Sequence, residues 1–165
     1  MINQIKSNIW QLCFHSFGSC VYVLKINNKI ILIDASSKTA QKELLNDLNK
    51  LKINPKKVNV IILTHNHYDH IENIHLFTNA KIYSPENLNE SSNIKEIPEL
   101  KIISAPGHSQ ESKCYLYKNI LFSGDVLFHN GIGRTDLPGS SELQMKKSLK
   151  KLQKINYDIL CPGHV

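Results

Sequence analysis

The segment Thr64-His65-Asn66-His67-Tyr68-Asp69-His70-Ile71 follows directly on Val58-Asn59-Val60-Ile61-Ile62-Leu63. The apolar run has the length and β-branched content of a buried strand. A buried strand whose end releases four potential metal ligands within six residues (His65, His67, Asp69, His70) limits the chain to folds that gather ligands at a sheet end. His65 and His67 lie two apart, so extended backbone points both to one side. Asp69 and His70 leave in other directions as the chain turns. One segment can therefore serve two neighbouring centres. The spacing differs from the helical metalloprotease pattern, where two histidines four apart share a face.

A lone histidine at a strand end is more often a surface group than a ligand. Three downstream segments change that balance. His108 sits in Ala105-Pro106-Gly107-His108-Ser109, Asp125 in Phe122-Ser123-Gly124-Asp125, and His164 in Cys161-Pro162-Gly163-His164. Each follows a strand-like run.

With these residues in view, the chain resembles the metallo-β-lactamase fold hydrolases. The carrying pattern is His65-x-His67-x-Asp69-His70 followed by His108, Asp125 and His164. The segment Gly131-Ile132-Gly133-Arg134-Thr135-Asp136-Leu137-Pro138-Gly139 is similar to the branch holding glyoxalase II (hydroxyacylglutathione hydrolase) and the persulfide dioxygenases. The resemblance runs from about Trp10 to the last residue. It implies an α/β fold of mixed α+β character, a four-layer αβ/βα sandwich with its metal site at one edge.

A chain of 165 residues is long enough for one domain with a substantial core, and one domain over 1–165 is expected. The net charge of +6 comes from scattered lysines. No basic block carries interleaved aromatics, which argues against nucleic acid and for a small-molecule substrate. Cys13, Cys20, Cys114 and Cys161 lie in or beside apolar runs without a C-x-x-C pair, and read as buried thiols of a cytoplasmic protein. No run reaches membrane-spanning length, and Met1 to Asn8 lacks a signal-peptide apolar region.

Along the chain, Ile9 to Phe14 reads as a first strand. Cys20–Ile26 and Lys29–Asp34 read as a hairpin turning at Asn27-Asn28, since asparagine tolerates positive φ. Leu44, Leu45, Leu48 and Leu51 give residues 37–52 a helical stripe, with Ser36 or Ser37 as N-cap. A short helix is expected over 71–77. Strands are expected at 81–83, 100–104, 114–118, 120–123 and 157–161. Residues 140–155 read as a second long helix with Leu143, Leu149, Leu152 and Ile155 inward. Strands outnumber helices and many are hairpin-linked, so mixed sheets are expected rather than a doubly wound parallel one.

The resemblance also assigns roles. It gives His65, His67 and His108 to one metal, Asp69, His70 and His164 to a second, and Asp125 to both as a bridge. Two Zn²⁺ are implied, with Fe or Mn acceptable to the same donor types. The implied reaction is hydrolysis of a thioester or similar acyl bond by a hydroxide held between the ions, oriented by Asp69. Asp34 takes the place of a buried aspartate that supports the histidine-rich segment. The resembled family usually continues that aspartate with Pro-Gly and carries small glycines after the metal segment; this chain has Ala35-Ser36 and Glu72-Asn73. Glyoxalase II proteins also carry a C-terminal helical region for glutathione, whereas this sequence ends at Val165, so glutathione contacts of that kind are not expected. The alternative in the same branch is a mononuclear iron persulfide dioxygenase using His65, His108 and Asp125. β-Lactam or phosphodiester hydrolysis is a further option. Arg134 and Asp136 are read as a salt bridge bracing their loop, and His15, His75 and His129 are given no role.

Overall fold

The computed structural model describes residues 1–165. Its elements in order are β1 (Ile2–Lys6), β2 (Ile9–Leu12), β3 (Val21–Ile26), β4 (Lys29–Ile33), α1 (Gln41–Lys50), β5 (Val60–Ile62), α2 (Tyr68–Ile71), β6 (Lys81–Tyr83), β7 (Leu100–Ser104), β8 (Lys113–Tyr117), β9 (Ile120–Gly124), β10 (Leu127–Phe128), β11 (Gly131–Ile132), α3 (Glu142–Leu152) and β12 (Ile159–Pro162). Single 3₁₀ turns lie at Pro55–Lys57, Ile74–Leu76 and Pro85–Asn87. The chain divides into two compact units, Met1–Tyr83 and Ser84–Val165.

The first unit holds a six-stranded sheet in the order β1-β2-β3-β4-β5-β6. β1 to β4 run antiparallel; β4, β5 and β6 run parallel. The β3–β4 hairpin turns at Asn27 and Asn28 with φ of 49° and 59°, the left-handed conformation that asparagine accepts at low cost. β5 is buried at all its positions, as its uninterrupted apolar sequence requires. Leu44 and Leu48 of α1 pack into the core with Val23, Leu32, Ile61 and Phe77. Burying each such side chain is worth about 1.5–3 kcal/mol.

The second unit holds a four-stranded sheet in the order β12-β9-β8-β7, with only β12–β9 parallel. Its core gathers Ile103, Leu116, Leu121 and Val126 with Met145 and Leu152 of α3. Ser141 caps α3 by accepting from the Gln144 N–H. Both sheets are mixed, as the strand pattern indicates.

Several boundaries differ from the sequence reading. β1 has only half-buried or exposed positions and little alternation, so it gave no strand signal. Helix α1 starts at Gln41 behind Ala40 rather than directly behind Ser36 or Ser37; the Ser37 hydroxyl, bonded to the Phe17 carbonyl, accepts the Ala40 N–H in the turn that leads into the helix. Helix α2 begins at Tyr68, inside the ligand run, and ends where a helix over 71–77 was expected to begin. Leu143 is 64% exposed rather than inward, because Met145 takes the core position on that turn.

Candidate metal centre

In the first unit, β4 and β5 run parallel and end together. Asp34 leaves β4 with its N–H on the Ile62 carbonyl and a φ of 61°, a left-handed value that short polar side chains tolerate. Its carboxylate is buried and accepts from the next strand's end. Oδ1 takes the Thr64 backbone N–H at 2.8 Å, and Oδ2 takes the Thr64 hydroxyl at 2.8 Å. Oδ2 also lies 2.8 Å from His70 Nδ1.

A carboxylate oxygen only accepts, so His70 carries its proton on Nδ1 and the Thr64 hydroxyl donates to Asp34. That hydroxyl can then accept from His65 Nδ1, which lies 3.1 Å away. One buried aspartate thereby sets the tautomer of two histidines. Both rings present Nε2, with its lone pair, on the opposite side. Their centroids are 4.1 Å apart. His65 Nε2 lies 3.1 Å from His67 Nδ1, and His70 Nε2 lies 3.9 Å from Asp69 Oδ2.

Helix α2 is fastened to its surroundings through the backbone. Ala35 N–H bonds the His70 carbonyl at 2.7 Å, and Ser19 N–H bonds the Asp69 carbonyl at 3.0 Å. Asn73 donates to the Ala35 and Ser37 carbonyls, and Glu72 accepts from the Lys38 N–H. Asn73 and Glu72 thus bind the turn around Ser36, which adopts φ 61° where the resembled family carries glycine. His75 is exposed and bonds the Glu72 carbonyl.

In the second unit, His108 Nδ1 donates to the Arg134 carbonyl at 2.9 Å, again leaving Nε2 on the other side. His108 Nε2 lies 3.6 Å from Asp125 Oδ2, and His164 Nε2 lies 3.5 Å from the same oxygen. The parallel ends of β9 and β12 are joined by Gly163 N–H to the Gly124 carbonyl, which brings Asp125 and His164 side by side. Two glycines are sterically required here. A Cβ on Gly133 would fall 1.7 Å from the Asp125 carbonyl oxygen and 3.1 Å from His108 Nδ1. At Gly107, with φ 150°, it would fall 2.5 Å from Met145 Cα.

Tetrahedral bonds of about 2.0–2.1 Å place neighbouring ligand atoms about 3.3 Å apart. The histidine–carboxylate separations of 3.5 to 3.9 Å are too long for hydrogen bonds and near a polyhedron edge. The His65–His67 separation of 3.1 Å also matches such an edge. Oriented imidazoles whose far nitrogens rest on a carboxylate, a hydroxyl or a carbonyl are the usual supports of metal-bound histidine. The residues of each unit therefore fit divalent metal.

The family model of the metallo-beta-lactamase superfamily matches residues 16–86 and 80–164. The chain belongs to the metallo-β-lactamase superfamily. It is 33% identical over 143 residues to a probable metallo-hydrolase of Methanocaldococcus jannaschii, covering 81% of this chain and 70% of that protein. It is 31% identical over 159 residues to the hydroxyacylglutathione hydrolase of Buchnera aphidicola subsp. Baizongia pistaciae, covering 87% of this chain and 61% of that one. Among solved structures it is similar to TTHA1623 in a di-iron-bound form, with a TM-score of 0.77, 21% identity, and coverage of 93% and 92%. The mixed α/β architecture is that of the metallo-β-lactamase fold, and metal-dependent hydrolase chemistry is the character of the relatives. No helix is long and apolar enough to cross a membrane.

Within this metallo-β-lactamase fold, Asp34 supports the histidine-rich segment as the resemblance implied. Arg134 and Asp136 form the expected exposed pair, with bonds of 2.9 and 3.0 Å that hold the Asp136 carboxyl below its usual range. Sequence reading missed Thr64, the Arg134 carbonyl and Asn73. Thr64 had a signal, since it sits between a buried strand and the first ligand. A backbone carbonyl leaves no trace in side-chain identity, so the Arg134 contact with His108 had none.

Proposed function

We propose that His65, His67, Asp69, His70, His108, Asp125 and His164 hold two divalent ions in one centre, with residues 1–165 acting as a single domain. On this reading the chain hydrolyses thioesters or similar small acyl substrates. The observation that carries it is the relay His65–Thr64–Asp34–His70, matched by His108 on the Arg134 carbonyl. Both arrangements hold imidazoles in the tautomer that a metal requires. The match to a hydroxyacylglutathione hydrolase supports the substrate class.

His65, His67 and His108 would take the first ion, Asp69, His70 and His164 the second, and Asp125 both. Zinc suits this donor set, and iron or manganese would also be accepted. When bound, such ions polarise an acyl carbonyl and lower the pKa of a coordinated water from about 15.7 to about 7. Asp69, whose main chain is pinned by the Ser19 N–H, orients the attacking water and accepts its proton. An open recess of about 460 Å³ beside His164, walled by Phe128, Gly131 and Ile132, gives room for the apolar part of a small substrate. Four buried free cysteines support a reducing, cytoplasmic setting.

Turnover of a panel of acyl thioesters, S-lactoylglutathione included, tests this reading. Activity should require metal and disappear in His65→Ala. If the zinc-loaded protein left every thioester intact while the iron-loaded protein consumed oxygen on a persulfide, hydrolysis would be the wrong reaction and a dioxygenase the right one.

A further inference from the structure

Cys13 and Cys20 stand at the neck of the loop joining β2 to β3. Leu12 pairs with Val21 in that antiparallel ladder, so Cys13 and Cys20 are the next opposed positions. The Cys13 N–H and carbonyl both bond to Met1, on the β1 side. A residue's N–H and C=O leave a strand along the same edge, so neither points toward Cys20. The two cysteines therefore form a non-hydrogen-bonded pair, the closer kind, with Cα atoms about 4.5 Å apart. That lies within the roughly 4.4–6.8 Å span that a disulfide needs. Their sulfurs are already 3.1 Å apart, and Cys13 is the more exposed, at 8% against 3%.

The hydrogen bond from Cys20 holds the Cys13 thiol below its ordinary pKa, whereas burial pushes Cys114 up to about 12. The loop between the two cysteines touches the ligand segment. Ser19 N–H bonds the Asp69 carbonyl, and the exposed Phe17 ring lies 6.1 Å from that of Tyr68, the residue before Asp69.

We propose that Cys13 and Cys20 form a thiol–disulfide exchange site for small disulfides of the oxidised-glutathione class, and that its closure tethers the loop beside Asp69. The Cys13 thiolate attacks one sulfur of the small disulfide, breaking its S–S bond and releasing one thiol, which takes up the proton Cys13 gave away. Cys20 then gives up its proton and attacks the Cys13 sulfur of the mixed disulfide, releasing the second thiol. One small disulfide is reduced to two thiols, and two protein thiols are oxidised to one disulfide. This chemistry does not depend on the hydrolase reading.

The reduced protein, residues 1–165, equilibrated with reduced and oxidised glutathione at graded ratios, is digested without reductant and mapped by mass spectrometry. A loss of two hydrogens joining the Cys13 and Cys20 peptides is expected, with Cys114 unmodified until the protein is unfolded. Both thiols remaining reduced in fully oxidised glutathione would overturn the site, as would a lasting glutathione adduct on Cys13 without the cross-link. Cys20→Ser should trap that adduct on Cys13; no adduct there would remove Cys13 as the attacking thiol. Amide exchange at Ser19 should slow several-fold on oxidation of the wild-type chain, and an unchanged rate would contradict the tether.

Discussion

Asp34 accepts three hydrogen bonds inside the first unit and thereby decides which nitrogen of His65 and His70 carries the proton. Its carboxylate works here because both oxygens only accept. In Asp34→Asn one of the two positions becomes a donor. Either orientation of the amide sets donor against donor, at the Thr64 N–H or at the Thr64 hydroxyl and His70. The variant should lose about 1–3 kcal/mol of stability, the cost of a buried donor left without its acceptor. If the amide nitrogen faces His70, the proton moves to Nε2 and blocks the ligand atom. Metal affinity should then fall about 10–100-fold, the usual effect of removing a support behind a metal-bound histidine. Chelator competition alongside thermal unfolding would check both effects, and wild-type affinity in Asp34→Asn would remove the relay from the account. The seven proposed ligands stand out in the sequence by residue type and spacing, and their division between two ions comes from the resemblance. Asp34 was legible only through resemblance, because a strand-end aspartate looks the same whether it caps a turn or holds two histidines.

At the scale of elements, α1 does more than cover the first sheet. Glu43 in its first turn accepts the His15 and Ser16 N–H groups, each at 2.9 Å, and so clamps the β2–β3 loop. These bonds, that from His15 foremost, lower the Glu43 carboxyl to about 2. A carboxyl depressed on folding contributes stability that is fully present above its unfolded pKa of about 4.3 and fades as pH falls toward 2. Urea unfolding between pH 6 and 2 should therefore show wild type losing its advantage over Glu43→Gln below about pH 4. A constant gap between the two proteins across that range would contradict the clamp. Such contacts are long-range and pass through backbone N–H groups, so nothing in the sequence around Glu43 announced them. The buried strands and the amphipathic helices were legible because their apolar periodicity is local. The start of α2 was not, since tertiary bonds from Ser19 and Ala35 to the Asp69 and His70 carbonyls help fix that turn.

At the scale of the whole molecule, His65, His67, Asp69 and His70 belong to one compact unit, and His108, Asp125 and His164 to the other. The family match spans both, although their two cores are separate in composition. Neither set offers the complete ligand complement of two ions, so the proposed centre requires the full chain. Elemental analysis of metal per chain, on protein loaded with zinc and freed of excess, tests this most directly when wild type is measured beside Asp125→Ala. Close to two ions per chain are expected for wild type, with a clear loss in the variant. Two ions per chain in both proteins, or a single ion in wild type, would contradict a shared binuclear centre.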